Sequence, residues 1–526
     1  MMDTPLTLTA ILRHAVSWHA SAEIVSRLAD GSLHRYRYAD FGRRTAQLAN
    51  ALAAQGVARG QRVATLAMNS YRHLEIYYAA ACIGGVCHTV NPRLFPEQIA
   101  YILNDAEDTH LFYDPAFEKL VEALRPRLKS VKHYIPLAEP YEQLIRGKDE
   151  RCDWPELDER DPCSLCYTSG TTGNPKGVLY NHRALVLHAM AVSGGEWLAL
   201  RARDAVLPVV PMFHANAWVI PYAAPMNGAK LVFPGFGLDG KSLYELMQAE
   251  GVTLIAGVPT VWLDLLRHMK ENGLRLDTVE RLMVGGSAAP LAMIETFERD
   301  YGIRVMHGWG MTELSPVGTL GALKRGMASL PAGERYRIQA MHGRPLFGVD
   351  MRIVDASGKI LPHDGKASGS LQVRGPWVAG AYYKGAGAEC FTDDGWFITG
   401  DVASIDAEGF LRLTDRAKDV IKSGGEWISS IELENIAMGH PDVLEAACIA
   451  VPHSRWGERP LVAVVPRPGR NLDTKSVLAL YEGRVAKWWI PDEVAVVDEL
   501  PHTATGKLSK LQLRERFRGH RLPTDQ

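Results

Sequence analysis

The sequence predicts an α/β protein: a large N-terminal domain of layered strands and helices with a β-rich subdomain, followed by a small mobile α+β C-terminal domain. Three observations lead there. Short Val/Ile/Leu runs alternate with segments of helical apolar spacing through the N-terminal part, the pattern of α/β layers. Residues 351–375, "MRIVDASGKILPHDGKASGSLQVRG", switch to short alternating strands separated by Asp/Gly turns, which reads as a β-rich subdomain. After Asp415 the chain carries strand and helix signals of its own, enough for a second compact domain.

Taken in order, "FGRRTAQLANALAAQGV" (41–57) has apolar residues at helical spacing and a terminating Gly56. "QRVATLAMN" (61–69), "HLFYD" (110–114) and "RLMVGG" (281–286) each read as a buried strand ending in a turn. Residues 205–229 contain no charged residue and are long enough to span a membrane. Pro208, Pro211, Pro221 and Pro225 would break a spanning helix, with His214 and Asn216 in its middle. A buried strand, a turn and a helix start are expected there instead. Beyond 415 come a charged turn, a short apolar run, a glycine pair and an amphipathic helix, then strands at "AACIAVP" and "ERPLVAVVP". The domains are placed at 1–415 and 416–526.

Composition narrows the setting. At 526 residues the chain exceeds what one core usually serves. Lys plus Arg number 58 against 60 for Asp plus Glu, so no charge excess points to nucleic acid or an anionic membrane. Seven cysteines, an odd count, suit a reducing compartment. Cys163 and Cys166 form a CxxC without a second pair at zinc spacing, and buried thiols are the expectation. The N-terminus lacks a basic region and carries Asp3 early, so it reads as mature, cytoplasmic protein.

The densest chemistry lies in "YTSGTTGNPKGVLYNH" (167–182). Glycines let backbone N–H groups converge on an anion, hydroxyls add donors and one lysine neutralises charge. A Walker loop does not fit: Lys176 follows Gly173 by three residues, and Gly177 stands where Ser or Thr would bind magnesium. By composition alone an exposed flexible loop is the alternative.

Further segments decide between them. "GGSAAP" (285–290), "HGWGMTE" (307–313), "FITGDVA" (397–403), "DRAKDVIKSGGEWIS" (415–429) and "LPHTATGKLSK" (500–510) follow in order. With the glycine-rich stretch, the set resembles the adenylate-forming superfamily of acyl-CoA synthetases, peptide-synthetase adenylation domains and luciferases. The resemblance implies activation of a carboxylic acid by ATP to an acyl-adenylate and pyrophosphate, then transfer to a thiol with release of AMP. Thr168, Ser169, Gly170, Thr171, Thr172, Gly173 and Lys176 would form the loop over the β- and γ-phosphates. Thr312 would contact the α-phosphate, while Glu313, with Thr168, would hold Mg²⁺ as hard oxygen ligands.

By the same mapping Gly286, Ser287 and Ala288 would lie close to adenine, with His307, Gly308, Trp309, Gly310 and Met311 lining the nucleotide. Asp401 and Arg416 would grip the ribose hydroxyls. Lys507 would be the catalytic lysine that reaches the acid's carboxylate and the α-phosphate. Lys418, where many relatives carry aspartate, would be the hinge about which the second domain rotates. Ser423, Gly424, Gly425, Glu426 and Trp427 would line the pantetheine tunnel. The basic tail (Lys510, Arg514, Arg516, Arg518, Arg521) reads as a solvated face.

No carrier segment follows Lys507, and "FHANAW" (213–218) with "HGWGMTELSP" (307–316) looks most like bacterial acyl-CoA synthetases. Free CoA is the implied acceptor, and a homodimer is compatible with the resemblance. His214 would shield the adenylate, and Trp218, Val219, Val284, Gly285, Gly308 and Trp309 would form the acid pocket. No charged residue stands among them, so an uncharged tail is favoured. Medium- to long-chain fatty-acyl-CoA synthetases fit, as do methylmercaptopropionate-CoA ligases and other short aliphatic or aryl acid ligases. A nucleotide-binding regulator that has lost catalysis is the non-enzymatic alternative, opposed by an intact Lys507 and Glu313.

Overall fold

The computed structural model describes residues 1–168, 174–195, 197–416, 418–424, 426–502 and 508–525. Among them four sheets form. The six-stranded sheet runs, in spatial order, His133–Pro136, His110–Tyr113, Arg62–Leu66, Val86–Thr89, Pro162–Tyr167 and Gly177–Asn181. The first five are parallel and the last pairs antiparallel. The nine-stranded sheet has a parallel interior that includes Ala205–Pro208, Leu254–Gly257, Arg281–Val284 and Arg304–Gly310, with antiparallel edges. These strands are buried on both faces, which is why they read as continuous apolar runs.

The expected elements appear. The helix Tyr38–Ala54 ends before Gly56, whose φ of +84° stops it. The uncharged stretch becomes the strand Ala205–Pro208, an irregular turn and the helix Ile220–Asn227. No helix among the described residues is long and apolar enough to cross a membrane. The β-rich subdomain is an antiparallel sheet of Asp350–Val354, Gly369–Arg374, Phe397–Ile405 and Leu411–Arg416. The fourth sheet lies wholly beyond it, between Ile421 and Val496, and packs on the helix Ser430–Met438.

The helix Tyr71–Cys82 is buried along nearly all its length. Its Tyr77 hydroxyl donates to the Met212 carbonyl, and its Tyr78 hydroxyl to the Pro221 carbonyl at 3.0 Å. Through it the six-stranded sheet grips both ends of the irregular turn. In sheets of this kind ligands gather at the carboxyl ends of the strands. Thr168, His214, Gly285 and Thr312 all follow such ends.

Candidate active site

The glycine-rich segment expected to bind the phosphates joins the strands Pro162–Tyr167 and Gly177–Asn181. Its base is closed by Thr168 N–H donating to the Lys176 carbonyl at 2.9 Å and by Lys176 N–H donating to Thr168 Oγ1 at 3.2 Å. Ser169, Gly170, Thr171, Thr172 and Gly173 lie outside the described residues. The Lys176 ammonium lies 3.4 Å from Glu389 and 5.1 Å from the centre of the Tyr382 ring. Cys163 and Cys166, in the strand leading in, are buried, and burial pushes both thiols up.

The strand Arg304–Gly310 carries the second motif. At Gly310 an added Cβ would lie 2.1 Å from the Pro316 carbonyl oxygen, so a side chain there has no room. The short turn Thr312–Leu314 follows. Tyr180 OH donates to the Thr312 carbonyl at 2.7 Å, and Tyr382 OH donates to the Glu313 carboxylate. Both acceptor residues are buried. Burial raises the Glu313 carboxyl above its ordinary range, against the opposing pull of the Tyr382 hydrogen bond.

On the nucleoside side, the strand Arg281–Val284 delivers Gly285 buried and Gly286 at φ +80°, with Gly286 and Ser287 exposed. Gly308 packs against the Thr319 carbonyl, which a Cβ would meet at 2.8 Å. His307 is buried against His342 with ring centres 4.6 Å apart, and burial holds both imidazoles below the usual histidine range. Met311 lies partly exposed beyond Gly310. A cleft of about 840 Å³ runs from Ala288 past His342, Leu413 and Thr414 to Ser429 and Trp489; of the residues expected at the nucleotide, Ala288 alone lines it.

Asp401 and Arg416 are cross-strand partners. Arg416 Nε lies 2.8 Å from Asp401 Oδ1, and the indole N–H of Trp309 donates to Asp401 Oδ2 at 2.9 Å. With both oxygens engaged, the plane of this buried carboxylate is fixed. The sequence assigns Trp309 to both the nucleotide and the acid pocket; the structure adds that its indole is a hydrogen-bond donor to Asp401, the carboxylate expected at the ribose. Trp309→Phe keeps a ring and removes the donor. It should raise the KM for ATP about 10–100-fold, the worth of a hydrogen bond to a charged group, with a smaller change in kcat. Initial rates at varied ATP check this.

The turn expected to wall the acid pocket is strained. Ala215, Asn216, Ala217, Trp218 and Val219 have φ of +44°, +52°, +46°, +54° and +65°, one turn of left-handed helix without a glycine. Each such residue costs on the order of 1–2 kcal/mol. The turn lays Trp218 over Gly285, whose added Cβ would lie 3.3 Å from Trp218 Cη2. Val219 and Val284 have no exposed surface, whereas His214 and Trp218 are partly exposed.

At the C-terminal side, Ile421–Ser423 and Glu426–Ile428 form a hairpin. Ser423 accepts from Arg459 Nη1 at 3.2 Å, and Gly424, at φ +59°, faces the Trp456 ring. Gly425, Lys507 and the side chains of Glu426 and Trp427 lie outside the described residues. Lys418 is an exposed residue in the turn between the third and fourth sheets, where Asp419 and Val420 N–H groups donate to the Arg416 carbonyl.

One expectation is overturned. The basic tail is not all a solvated face: Lys510 is largely buried and lies 2.8 Å from Glu434, while Arg514 pairs with Asp419 at 2.7 Å. Charge along the sequence could not reveal this, because both partners lie far upstream. Tyr180 and Tyr382 were missed for the same reason: Tyr180 sits at the apolar end of the glycine-rich stretch and Tyr382 in no motif, and each acts through a contact distant in sequence.

Residues 12–383 match the AMP-binding enzyme family, and residues 432–507 match the AMP-binding enzyme C-terminal domain. The chain belongs to this family of AMP-binding enzymes. It is 46% identical to the 3-methylmercaptopropionyl-CoA ligase of Ruegeria lacuscaerulensis over 98% of each chain. It is 48% identical to the long-chain-fatty-acid–CoA ligase of Thermus thermophilus, over 99% of this chain and 97% of the other. Its fold matches the ATP-bound MatB of Rhodopseudomonas palustris with a TM-score of 0.84 and 27% identity, covering 98% of this chain and 99% of that one. Within the family the chain is an acid–thiol ligase of the AMP-forming acyl-CoA synthetase class.

Proposed function

We propose that the enzyme activates an uncharged aliphatic acid, a medium- to long-chain fatty acid, as its acyl-adenylate and passes it to CoA. The observation that carries this is the meeting of two unlike walls. Glu313, Thr312, Trp309 and Asp401 form a buried polar wall with the half-exposed Arg416 beside it, whereas Gly285 under Trp218 is apolar and carries no charge.

A carboxylate is a poor acyl donor because its oxygen leaves badly. Its attack on the α-phosphate brings two anions together, so donors and positive charge must already stand where charge builds. Thr168 and Lys176 serve the phosphates at the loop base, and to do so Lys176 leaves Glu389. Asp401 and Arg416 orient the ribose, and Lys507 brings the acid's oxygen to phosphorus. The CoA thiol then attacks the acyl carbonyl carbon and AMP leaves. We place the division between the domains at 415/416, with rotation about Lys418 exchanging Lys507 for the hairpin at Ser423 and Gly424.

Glu313 and Thr168 would hold Mg²⁺, which neutralises phosphate charge when bound. The site suits a cation: burial raises the Glu313 carboxyl, a sign that its charge is under-compensated as it stands. This gives a pH prediction. Activity should fall as pH drops through that raised value, because the protonated carboxyl cannot bind the ion. Proton and cation compete, so saturating Mg²⁺ should move the acid limb to lower pH than limiting Mg²⁺ does. An acid limb that ignores Mg²⁺ would contradict this role.

A second reading, a short thioether acid such as 3-methylmercaptopropionate, is favoured by the Trp218 ring lying over Gly285, which shortens the space beyond the glycine. CoA-dependent AMP release across propionate, 3-methylmercaptopropionate, octanoate, palmitate and benzoate separates the readings. The fatty-acid proposal expects octanoate or palmitate to give the highest kcat/KM. Turnover of benzoate alone would overturn both.

A further inference from the structure

The left-handed turn at 215–219 needs something to hold it. Non-glycine residues visit this backbone region singly, not in runs, and persist there only where their surroundings over-determine them. Its entry is fixed by Asn69, which donates to the Pro208 and Val210 carbonyls at 2.9 Å each, and by Tyr77 on the Met212 carbonyl. Its exit is fixed by Tyr78 on the Pro221 carbonyl. Between them stands Asn216, with no exposed surface.

Asn216 Oδ1 accepts from Ser164 Oγ at 3.2 Å and from Cys166 Sγ at 3.7 Å. Both donors lie on the strand Pro162–Tyr167, which ends one residue before Thr168. Cys166 Sγ in turn meets Thr89 Oγ1, at 3.1 Å, on the neighbouring strand. The amide thus ties the turn to the middle of the six-stranded sheet. Two residues on, Trp218 lies over Gly285.

We infer that Asn216 is a positioning residue that sets acid selectivity: it pins the left-handed turn to the strand feeding the phosphate loop, and so fixes where Trp218 closes the acid pocket. The inference rests on the ligase reading above. It goes beyond that reading in giving selectivity to a side chain that is itself shut away from the acid. Were Asn216 released, the turn would relax toward ordinary backbone and Trp218 would lose its place over Gly285.

Asn216→Gly is the informative variant, because glycine adopts the left-handed region freely and only the side chain is deleted. The readout is the ratio of kcat/KM for the preferred acid to that for its homologue two carbons shorter. This ratio should fall about tenfold, the scale on which an apolar pocket discriminates methylenes. The change should lie in the KM for the acid, with the KM for ATP unchanged. Ser164→Ala should move the ratio the same way by less. The double variant should be no worse than Asn216→Gly alone, since both delete one interaction.

A parental ratio in Asn216→Gly overturns the inference, as does an equal loss for every acid together with a raised KM for ATP. If Asn216→Gly fails to fold, Ser164→Ala decides, and an unmoved ratio there overturns it. A parent enzyme inactive on every uncharged acid overturns the proposed substrate class and this inference together. An active parent with unmoved selectivity in the variants overturns the inference alone.

Discussion

Lys507→Ala should lose the first half-reaction and keep the second. Lys507 closes the Pro/Thr/Gly-rich sequence "PHTATGK", a composition in which an ordinary lysine would be expected to be a solvated charge. The role proposed for it is to hold the acid's carboxylate beside the α-phosphate while charge builds there. Truncation removes binding that exists only in the transition state, so adenylate formation should slow on the order of 10²–10³-fold. Synthetic acyl-adenylate plus CoA should still give thioester at a near-parental rate, because the proposed rotation would carry Lys507 away from the reacting atoms in that step. Pyrophosphate exchange measures the first step and thioester formation from adenylate the second. Adenylate formation at the parental rate would return the lysine to a surface charge.

Lys418→Pro should have the opposite signature. Proline fixes φ near −65° and removes a donor, at a cost of about 3 kcal/mol where the backbone must leave that value. If Lys418 turns between the half-reactions, one of its two conformations is penalised, and a barrier raised by that amount slows the step about 10²-fold. Adenylate should form at a near-parental rate while its transfer to CoA slows. The turn it occupies, between the antiparallel sheet ending at Arg416 and the sheet beginning at Ile421, leaves Lys418 exposed while Asp419 and Val420 beside it are buried. Equal loss of both half-reactions, or of neither, would contradict a hinge at Lys418.

The two substitutions divide the reaction because the residues they change answer to different physics, and that difference also governs what could be read in advance. Strands such as Arg281–Val284 and helices such as Tyr38–Ala54 were legible because apolar period is a local property of the chain. The family was legible in the motifs because phosphate and ribose chemistry restricts residue types at fixed spacing. Spatial strand order was not: Pro162–Tyr167 lies beside Val86–Thr89, a pairing that depends on how helices pack between sheets. Nor was the hold on Glu313 by Tyr382, since nothing near either residue in sequence marks the other. The left-handed turn escaped because its signal would have been glycine, and residues 215–219 contain none. Lys510 escaped because a lysine beside other cations resembles solvated charge until Glu434 is placed against it.

The central claim is that carboxylate oxygen attacks the α-phosphate of ATP. Supplying an uncharged fatty acid whose carboxylate carries heavy oxygen, with ATP, Mg²⁺ and CoA, and weighing the nucleotide product by mass spectrometry tests it directly. An adenylate intermediate leaves one labelled oxygen on AMP when the thiol displaces it, and the other in the acyl-CoA carbonyl. Labelled AMP, formed in step with acyl-CoA, is the result expected. Unlabelled AMP, or label recovered in inorganic phosphate with ADP as the nucleotide, would contradict the mechanism and, with it, the roles proposed for Glu313, Thr312 and Lys507.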